Sequence, residues 1–234
     1  MRQKTGCLIC GERLVYSVKN RDLKCYYCGK KHPSKAACGK GHFVCDDCHG
    51  RPAAELIEKF CIISESNDPI RMAIALMKNA RVAMHGPEHH FLVPAVLLSA
   101  HYNASGRPNE KASKIREAKL RSGDILGGFC GFHGNCGAAV GTGIFVSLVT
   151  GATPLSKYEW KLANLMTAQS LKAIALRGGP RCCKRDSFIA ISEAVKFVRK
   201  NLKSDMKAPR GIRCEFSALN RECLGRKCPF HQQA

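Results

Sequence analysis

Hydrophobic and polar positions divide the chain into a polar, cysteine-punctuated stretch of about fifty residues and a longer region of helical periodicity. From Pro52 to Ser64, Leu56, Phe60 and Cys61 recur on one side of a helix that has Pro52 near its start. Cys61 reads there as a small buried hydrophobe. Asp68-Pro69 is an N-cap followed by proline at the first helical position, and Ile70, Ile74, Leu76 and Met77 continue a second helix. Pro87 to Tyr102 is a third, strongly apolar helix, and Glu110 to Arg121 is a basic amphipathic one at the surface, with Ile115 and Leu120 as its apolar contacts. The apolar run from Cys136 to Ala152 is short and carries four glycines, which suits a buried helix and not a membrane span. Ser156-Lys157-Tyr158-Glu159 has capping-box spacing and opens a helix to about Leu176. A last helix runs from Asp186 to about Leu202. Before all of these, Glu12 to Val18 and Asp22 to Tyr27 alternate loosely around Lys19-Asn20-Arg21 and predict a short hairpin. The expected fold is mainly α: a helical domain over 51–205, a small β-containing zinc-knuckle module over 1–50, and a Cys-rich metal-binding tail over 206–234.

Cysteine usage changes the picture most. Of fifteen cysteines, seven fall in the first fifty residues, as the pairs Cys7/Cys10, Cys25/Cys28 and Cys45/Cys48 with Cys38-x-x-x-His42 between the last two. Two residues between thiolates let a tight turn aim both sulfurs at one ion, and four ligands close the tetrahedral shell of structural zinc. The metal then replaces a core too small to fold alone. Eight ligands make two sites. A sequential division groups Cys7, Cys10, Cys25 and Cys28 as a ribbon and Cys38, His42, Cys45 and Cys48 as a knuckle; a cross-braced division interleaves them. The hairpin favours the ribbon. His32 and His49 fall outside the spacing and read as exposed or capping residues. No charged-then-apolar leader precedes the first pair, and so many cysteines without an export signal point to a reducing cytoplasm and metal ligation instead of disulfides.

Lysine and arginine number 38 against 18 acidic residues, a net charge of +20. Metal-bound thiolates lower the working value to about +15. Nucleic acid, an acidic protein partner or a small anionic substrate would each account for that balance. Sparse aromatics and the absence of a base-reading helix weigh against nucleic acid.

The body holds a second constellation. Gly127 to Gly137 is a glycine-rich loop with Cys130 and Cys136 that feeds the apolar helix, and Gly178 to Arg185 is another, with Cys182 and Cys183, ahead of the last helix. A helix N-terminus and the cations Arg181, Lys184 and Arg185 are expected to lower thiol pKa and to bind a substrate anion. Such loops suit an iron–sulfur cluster or a reactive thiolate, while small residues also permit close helix packing. Neighbouring side chains diverge in an extended segment, so Cys182 reads as a metal ligand and Cys183 as facing substrate. The tail adds Cys214, Cys223, Cys228 and His231, either a further Cys3His zinc site or cluster ligands from across the fold. With an iron–sulfur site, sulfurs of the 130, 182 and 214–228 segments should converge in one pocket. His85-x-x-Glu88-His89 has the inverted zinc-protease spacing, but Gly86-Pro87 breaks the helix that would align both histidines. A catalytic acid/base trio of His85, Glu88 and His89 is the alternative, beside ordinary capping. Phosphate loops, dinucleotide fingerprints and Ser-His-Asp signatures are not evident.

The succession Cys7-Leu8-Ile9-Cys10, Gly41-His42-Phe43-Val44-Cys45, Met84 to His90, Gly151 to Ser156, Gly178 to Asp186 and Cys214-Glu215-Phe216-Ser217 resembles the domain-of-unknown-function 5714 family of anaerobic bacteria and archaea, over nearly the whole chain. The resemblance implies a cytoplasmic protein of an anaerobe, with no established activity. A weaker likeness is to the iron-sulfur L-serine dehydratases and cysteine desulfidases, where Gly/Cys-rich loops also enter helices. It implies a cluster near Cys130 or Cys136 and Cys182 or Cys183, acting as a Lewis acid on a small hydroxy- or thiol-bearing acid. The cysteine spacings, the N-terminal knuckles and the Cys214 tail depart from that pattern. Three functions follow as expectations: a metalloprotein with structural zinc and iron–sulfur or thiolate chemistry on a small acid, a zinc-stabilised adaptor for nucleic acid or protein, and a metal or sulfur carrier.

Overall fold

The apolar stripes become eight α-helices among the residues that the computed structural model describes, which are 7, 9–10, 12–45, 48, 52–207 and 211–232. They are α1 (Ala53–Ile63), α2 (Pro69–Met77), α3 (Glu88–Ala104), α4 (Pro108–Gly123), α5 (Phe129–Phe132), α6 (Gly137–Thr150), α7 (Tyr158–Ala175) and α8 (Cys183–Leu202). The mainly helical class is as read from the sequence, and so is the small N-terminal sheet, β1 (Leu14–Lys24) with β2 (Lys31–Cys38). No helix of the described residues is long and apolar enough to cross a membrane.

Helix α3 is apolar all round because α1, α2, α4, α6 and α8 all pack on it. Helix α6 approaches it closely: a Cβ on Gly141 would collide with Pro94 and the His90 carbonyl. Asp68 caps α2 by accepting the Arg71 N–H at 3.0 Å. Three local readings are corrected. Helix α4 buries Lys111, Ile115, Ala118 and Ser122, so Leu120 lies off that face and is 75 % exposed. The capping box at α7 is not made, because Ser156 Oγ accepts the Thr153 N–H at 3.0 Å and closes the preceding turn instead. Helix α8 begins three residues early, at Cys183, and Asp186 reaches back to the Cys182 N–H at 3.4 Å.

The hairpin exists, but its turn is elsewhere. Strands pair from Leu14↔Cys38 to Lys24↔Lys31, with a register shift between Tyr16 and Arg21 that takes in Lys19 and Asn20, whereas Arg21, also read as part of the turn, pairs with Ser34. The chain reverses at the second cysteine pair, where Cys25 N–H donates to Lys30 O at 2.8 Å and Gly29 takes a left-handed φ of 69°. Most of β1 is exposed, so the hairpin has little core of its own. Its turn end is seated on the body: Tyr27 is fully buried, packs against Phe60 and donates its hydroxyl to Ala75 O at 3.0 Å. At the other terminus of the chain, Phe216 is buried and Phe230 meets Phe188 edge-on.

His101, 5 % exposed, lies between Ser204 and Arg107, with Nδ1 3.0 Å from Ser204 Oγ and Nε2 3.5 Å from Arg107 Nη2. Burial, reinforced by Arg107, pushes its pKa down to about 4. The unfolded chain therefore takes up this proton first, near pH 6.5, and stability falls as pH drops from there toward 4. Over that window His101→Gln is expected to remove about 3 kcal/mol of the acid-dependent loss in urea titrations. An unchanged pH slope would contradict the assignment.

Candidate metal centres

The two ends of the hairpin each gather four ligands. Cys7, Cys10, Cys38 and His42 have ligand atoms all within 4.8 Å of one another, and so do Cys25, Cys28, Cys45 and Cys48. Both groups can hold a metal ion. The pairing is interleaved, which corrects the sequential division. Its cause is the register: Cys38 closes β2 opposite Leu14 and so meets the first pair, whereas Cys25 and Cys28 form the far turn. The chain after His42 returns to that turn, with Tyr26 N–H donating to Phe43 O at 2.8 Å and Cys45 N–H reaching Cys25 Sγ at 3.4 Å. Cys10 and Cys38 sulfurs lie 3.9 Å apart, and Cys28 and Cys45 sulfurs 3.8 Å apart. Metal–sulfur bonds of about 2.3 Å in a tetrahedron give a sulfur spacing of about 3.8 Å. Burial pushes the Cys45 thiol up to about 11 and also raises Cys48, so an ion that ionises all four would offset that cost. His32 is half-buried against Phe43, and His49 lies outside the described residues.

In the body, Cys182 and Cys183 diverge at the start of α8. Cys182 shares a cavity of about 20 Å³ with Cys214, Cys223 and Cys228, closed by Met84, Phe188 and Phe216. Cys183 shares another, also about 20 Å³, with Cys130, Cys136, His89 and His90. The cysteines thus meet in two pockets, not one. His231 lines neither; Cys182, at the N-cap of α8, is the fourth cysteine beside the three of the tail in the first cavity. Phe216 N–H lies 3.4 Å from Cys214 Sγ and Gly225 N–H 3.4 Å from Cys223 Sγ, the same two-residue contact that Ile9 N–H makes to Cys7 Sγ at 3.4 Å. A cleft of about 390 Å³ runs beside the second cavity and shares Cys130, Cys136, Arg181 and Asp186 with it.

Of the catalytic trio, Glu88 Oε1 and His89 Nδ1 lie 3.9 Å apart, while His85 points elsewhere. His85 turns to the tail, its Nε2 3.1 Å from Asn220 Oδ1 and 3.3 Å from Glu222 Oε2. Glu88 folds over Gly86 and lines neither cavity. His89 is buried, and burial pushes its pKa down to about 3, so it is neutral; its Nδ1–H donates to Gly86 O at 3.1 Å.

Thiol acidity also reverses the expectation. Burial outweighs the helix terminus and the cations, pushing Cys136 and Cys182 up to about 11 and raising Cys183 and Cys214 as well. Without a metal these thiols stay protonated and make poor nucleophiles. Of the three cations, Arg181 alone is exposed beside the cleft. Arg185, 3 % exposed, pairs with Asp186 at 2.9 Å and donates to Gly178 O and Pro180 O, which shapes the loop. Lys184, 1 % exposed, donates to Val82 O at 3.2 Å and Ala83 O at 2.8 Å, above the Phe216 ring. It is therefore out of reach of a substrate. Lys184→Met strands both carbonyls and is expected to cost about 2–4 kcal/mol in a denaturant titration. A loss below 1 kcal/mol would refute this role.

Three contributors were missed in the sequence: Asp186, His90, and Asn220, whose amide approaches Cys182 Sγ at 3.5 Å. Asn220 is brought in by the tail and has no spacing signal, whereas Asp186 follows Cys183 by one helical turn and His90 adjoins His89.

The family of unknown function DUF5714 matches residues 57–231. The chain belongs to this family. No curated protein and no solved structure matches it, and the weaker likeness to dehydratases and desulfidases gains no support. The DUF5714 span takes in both body cavities and the tail as far as His231, and leaves the two N-terminal four-ligand groups outside. The resemblance carried by Cys7 to Cys45 is thus not part of the match.

Proposed function

We propose that the protein is an iron–sulfur metalloenzyme with two structural zinc ions, acting on a small sulfur- or hydroxy-bearing acid in the cleft beside the Cys130–Cys136 loop. The observation that carries this reading is the one small cavity lined by Cys182, Cys214, Cys223 and Cys228 together. At about 20 Å³ it has no room for an organic substrate, and it is the lining of four cysteines that favours an inorganic centre there. Among the described residues, only the N-terminal groups bring three or more ligand atoms within 4.8 Å of one another. A four-iron cube spreads its thiolates further than one ion does, so the wider spacing of the tail set favours a cluster over a single ion. Such a cluster with four thiolates carries a charge of about −2, which would offset the buried Lys184 and Arg185. A cleft of about 390 Å³ is of small-ligand size, and Arg181 at its edge would hold a carboxylate.

Iron, zinc and acid-labile sulfide per chain, measured on protein purified without oxygen, test this reading. About two zinc with at least about four iron and four sulfide are expected. Two or three zinc without iron would overturn it.

A second reading, a binding role for the hairpin, is favoured by its exposed Lys19, Arg21, Lys24, Lys30, Lys31 and Lys35. It predicts retention of RNA or an acidic protein that weakens with salt and is lost when several of these lysines become glutamate. Retention that charge reversal leaves intact would dismiss it.

A further inference from the structure

We propose that Cys130, Cys136 and Cys183 hold a second four-iron cluster, on the other side of the α8 N-terminus from Cys182, with His89 Nε2 as the ligand of its fourth iron. The inference rests on the reading that the chain takes up iron–sulfur clusters, and extends it to a site with its own ligands.

Four observations point there. Three cysteines from two separate loops line one small cavity together with the His89 ring. His89 Nδ1–H is spent on Gly86 O, which leaves its Nε2 lone pair buried in that cavity with no hydrogen-bond partner. A backbone carbonyl at one ring nitrogen that frees the other is the usual outer-shell support of a metal-bound histidine. A buried imidazole nitrogen without a partner is costly, and a metal bond removes that cost. No three of these ligand atoms lie within 4.8 Å of one another, which is wider than the two N-terminal four-ligand groups.

The surroundings hold these ligands in place. His90 Nδ1 lies 3.0 Å from Ile125 O, and its ring occupies the space that a Cβ on Gly137 would need. The Cys136–Gly137 turn is thereby pressed against α3. The Ala139 N–H donates to the Cys136 carbonyl at 2.9 Å, which fixes the backbone that carries Cys136. Cys182 and Cys183 are consecutive, with Cα atoms about 3.8 Å apart, so the two clusters would be near enough to couple magnetically. The second one also borders the substrate cleft, through Cys130 and Cys136.

The full chain, loaded with iron and sulfide without oxygen, provides the test. About eight iron and eight sulfide are expected per chain, falling to about four in a Cys130→Ser/Cys136→Ser variant and to about four in a Cys214→Ser/Cys223→Ser variant. Zinc at about two per chain and an unchanged circular-dichroism spectrum report that each variant is folded. On reduction, the wild type should give an interaction-broadened electron paramagnetic resonance spectrum and each double variant an isolated signal. His89→Ala should abolish a directly bound nitrogen coupling that His90→Ala leaves in place. About four iron, all lost with Cys214/Cys223 and none with Cys130/Cys136, would overturn the second cluster while the first stands. The reverse pattern would overturn the tail assignment and keep this one. A third zinc lost with Cys130/Cys136 would overturn the cluster, and absence of iron would overturn both.

Discussion

Replacing Cys7 and Cys38 together by serine is expected to remove one zinc ion per chain and leave the other, whereas Cys7→Ser with Cys25→Ser is expected to remove both. The interleaved geometry dictates this outcome, because the first two residues belong to one four-ligand group and the second two to different groups. A sequential arrangement predicts the opposite pattern, so metal counting on the two double variants decides between them. The consequences for stability should also differ. Loss of the ion at the open end frays the strands near Leu14 and Cys38 but leaves Tyr27 seated under Ala75 and Phe60. Loss of the ion at the turn end, through Cys25→Ser with Cys45→Ser, frees the segment that carries Tyr26 and Tyr27. Structural zinc supplies about 10–16 kcal/mol in small modules, and Val15, Tyr16 and Val18 are exposed and give the hairpin no substitute core. Hydrogen exchange over 24–30 should therefore rise by orders of magnitude in the second variant and stay close to wild type in the first. Equal exchange in both would refute the anchoring role of Tyr27.

Cys182→Ser should cost more than any other single change in the helical body. It removes the one cysteine of the first cavity that belongs to the helical body, so on the proposed reading the tail cysteines lose their shared centre. The expected result is loss of about four iron and four sulfide, and a drop in stability of at least about 3 kcal/mol. Rapid proteolytic cutting between 205 and 216 should follow. His231→Ala is the control: His231 lines neither cavity, and the variant should keep full iron content. Iron lost in His231→Ala and kept in Cys182→Ser would restore the Cys3His tail site and dismiss the folded-back ligand set.

The repeating apolar positions of α1, α2 and α8, the Asp68-Pro69 start and the cysteine spacings each act through short-range chemistry, so the sequence determined the helical class and the eight N-terminal ligands by itself. Side-chain period and caps depend on neighbours within a few residues. Boundaries and polarity errors arose where a local motif had a tertiary competitor. Lys19-Asn20-Arg21 resembles a turn, but the turn goes to Cys25–Lys30, whose residues also dock Tyr27. Ser156 has capping spacing but satisfies Thr153 instead.

Ligand pairing, by contrast, was decided only in three dimensions. The interleaving at the hairpin follows from which strand ends meet, and the same eight spacings suit either pairing. Cys182 joins cysteines 32 to 46 residues later because the tail crosses the α8 N-terminus, a contact with no local signature. The charge roles were inverted for the same reason. Arg181, Lys184 and Arg185 are equivalent as letters, but burial turns two of them into braces for backbone carbonyls and leaves Arg181 alone exposed at the cleft. Desolvation, the dominant influence on the buried thiols, depends on everything packed around a residue, and a single sequence records none of it.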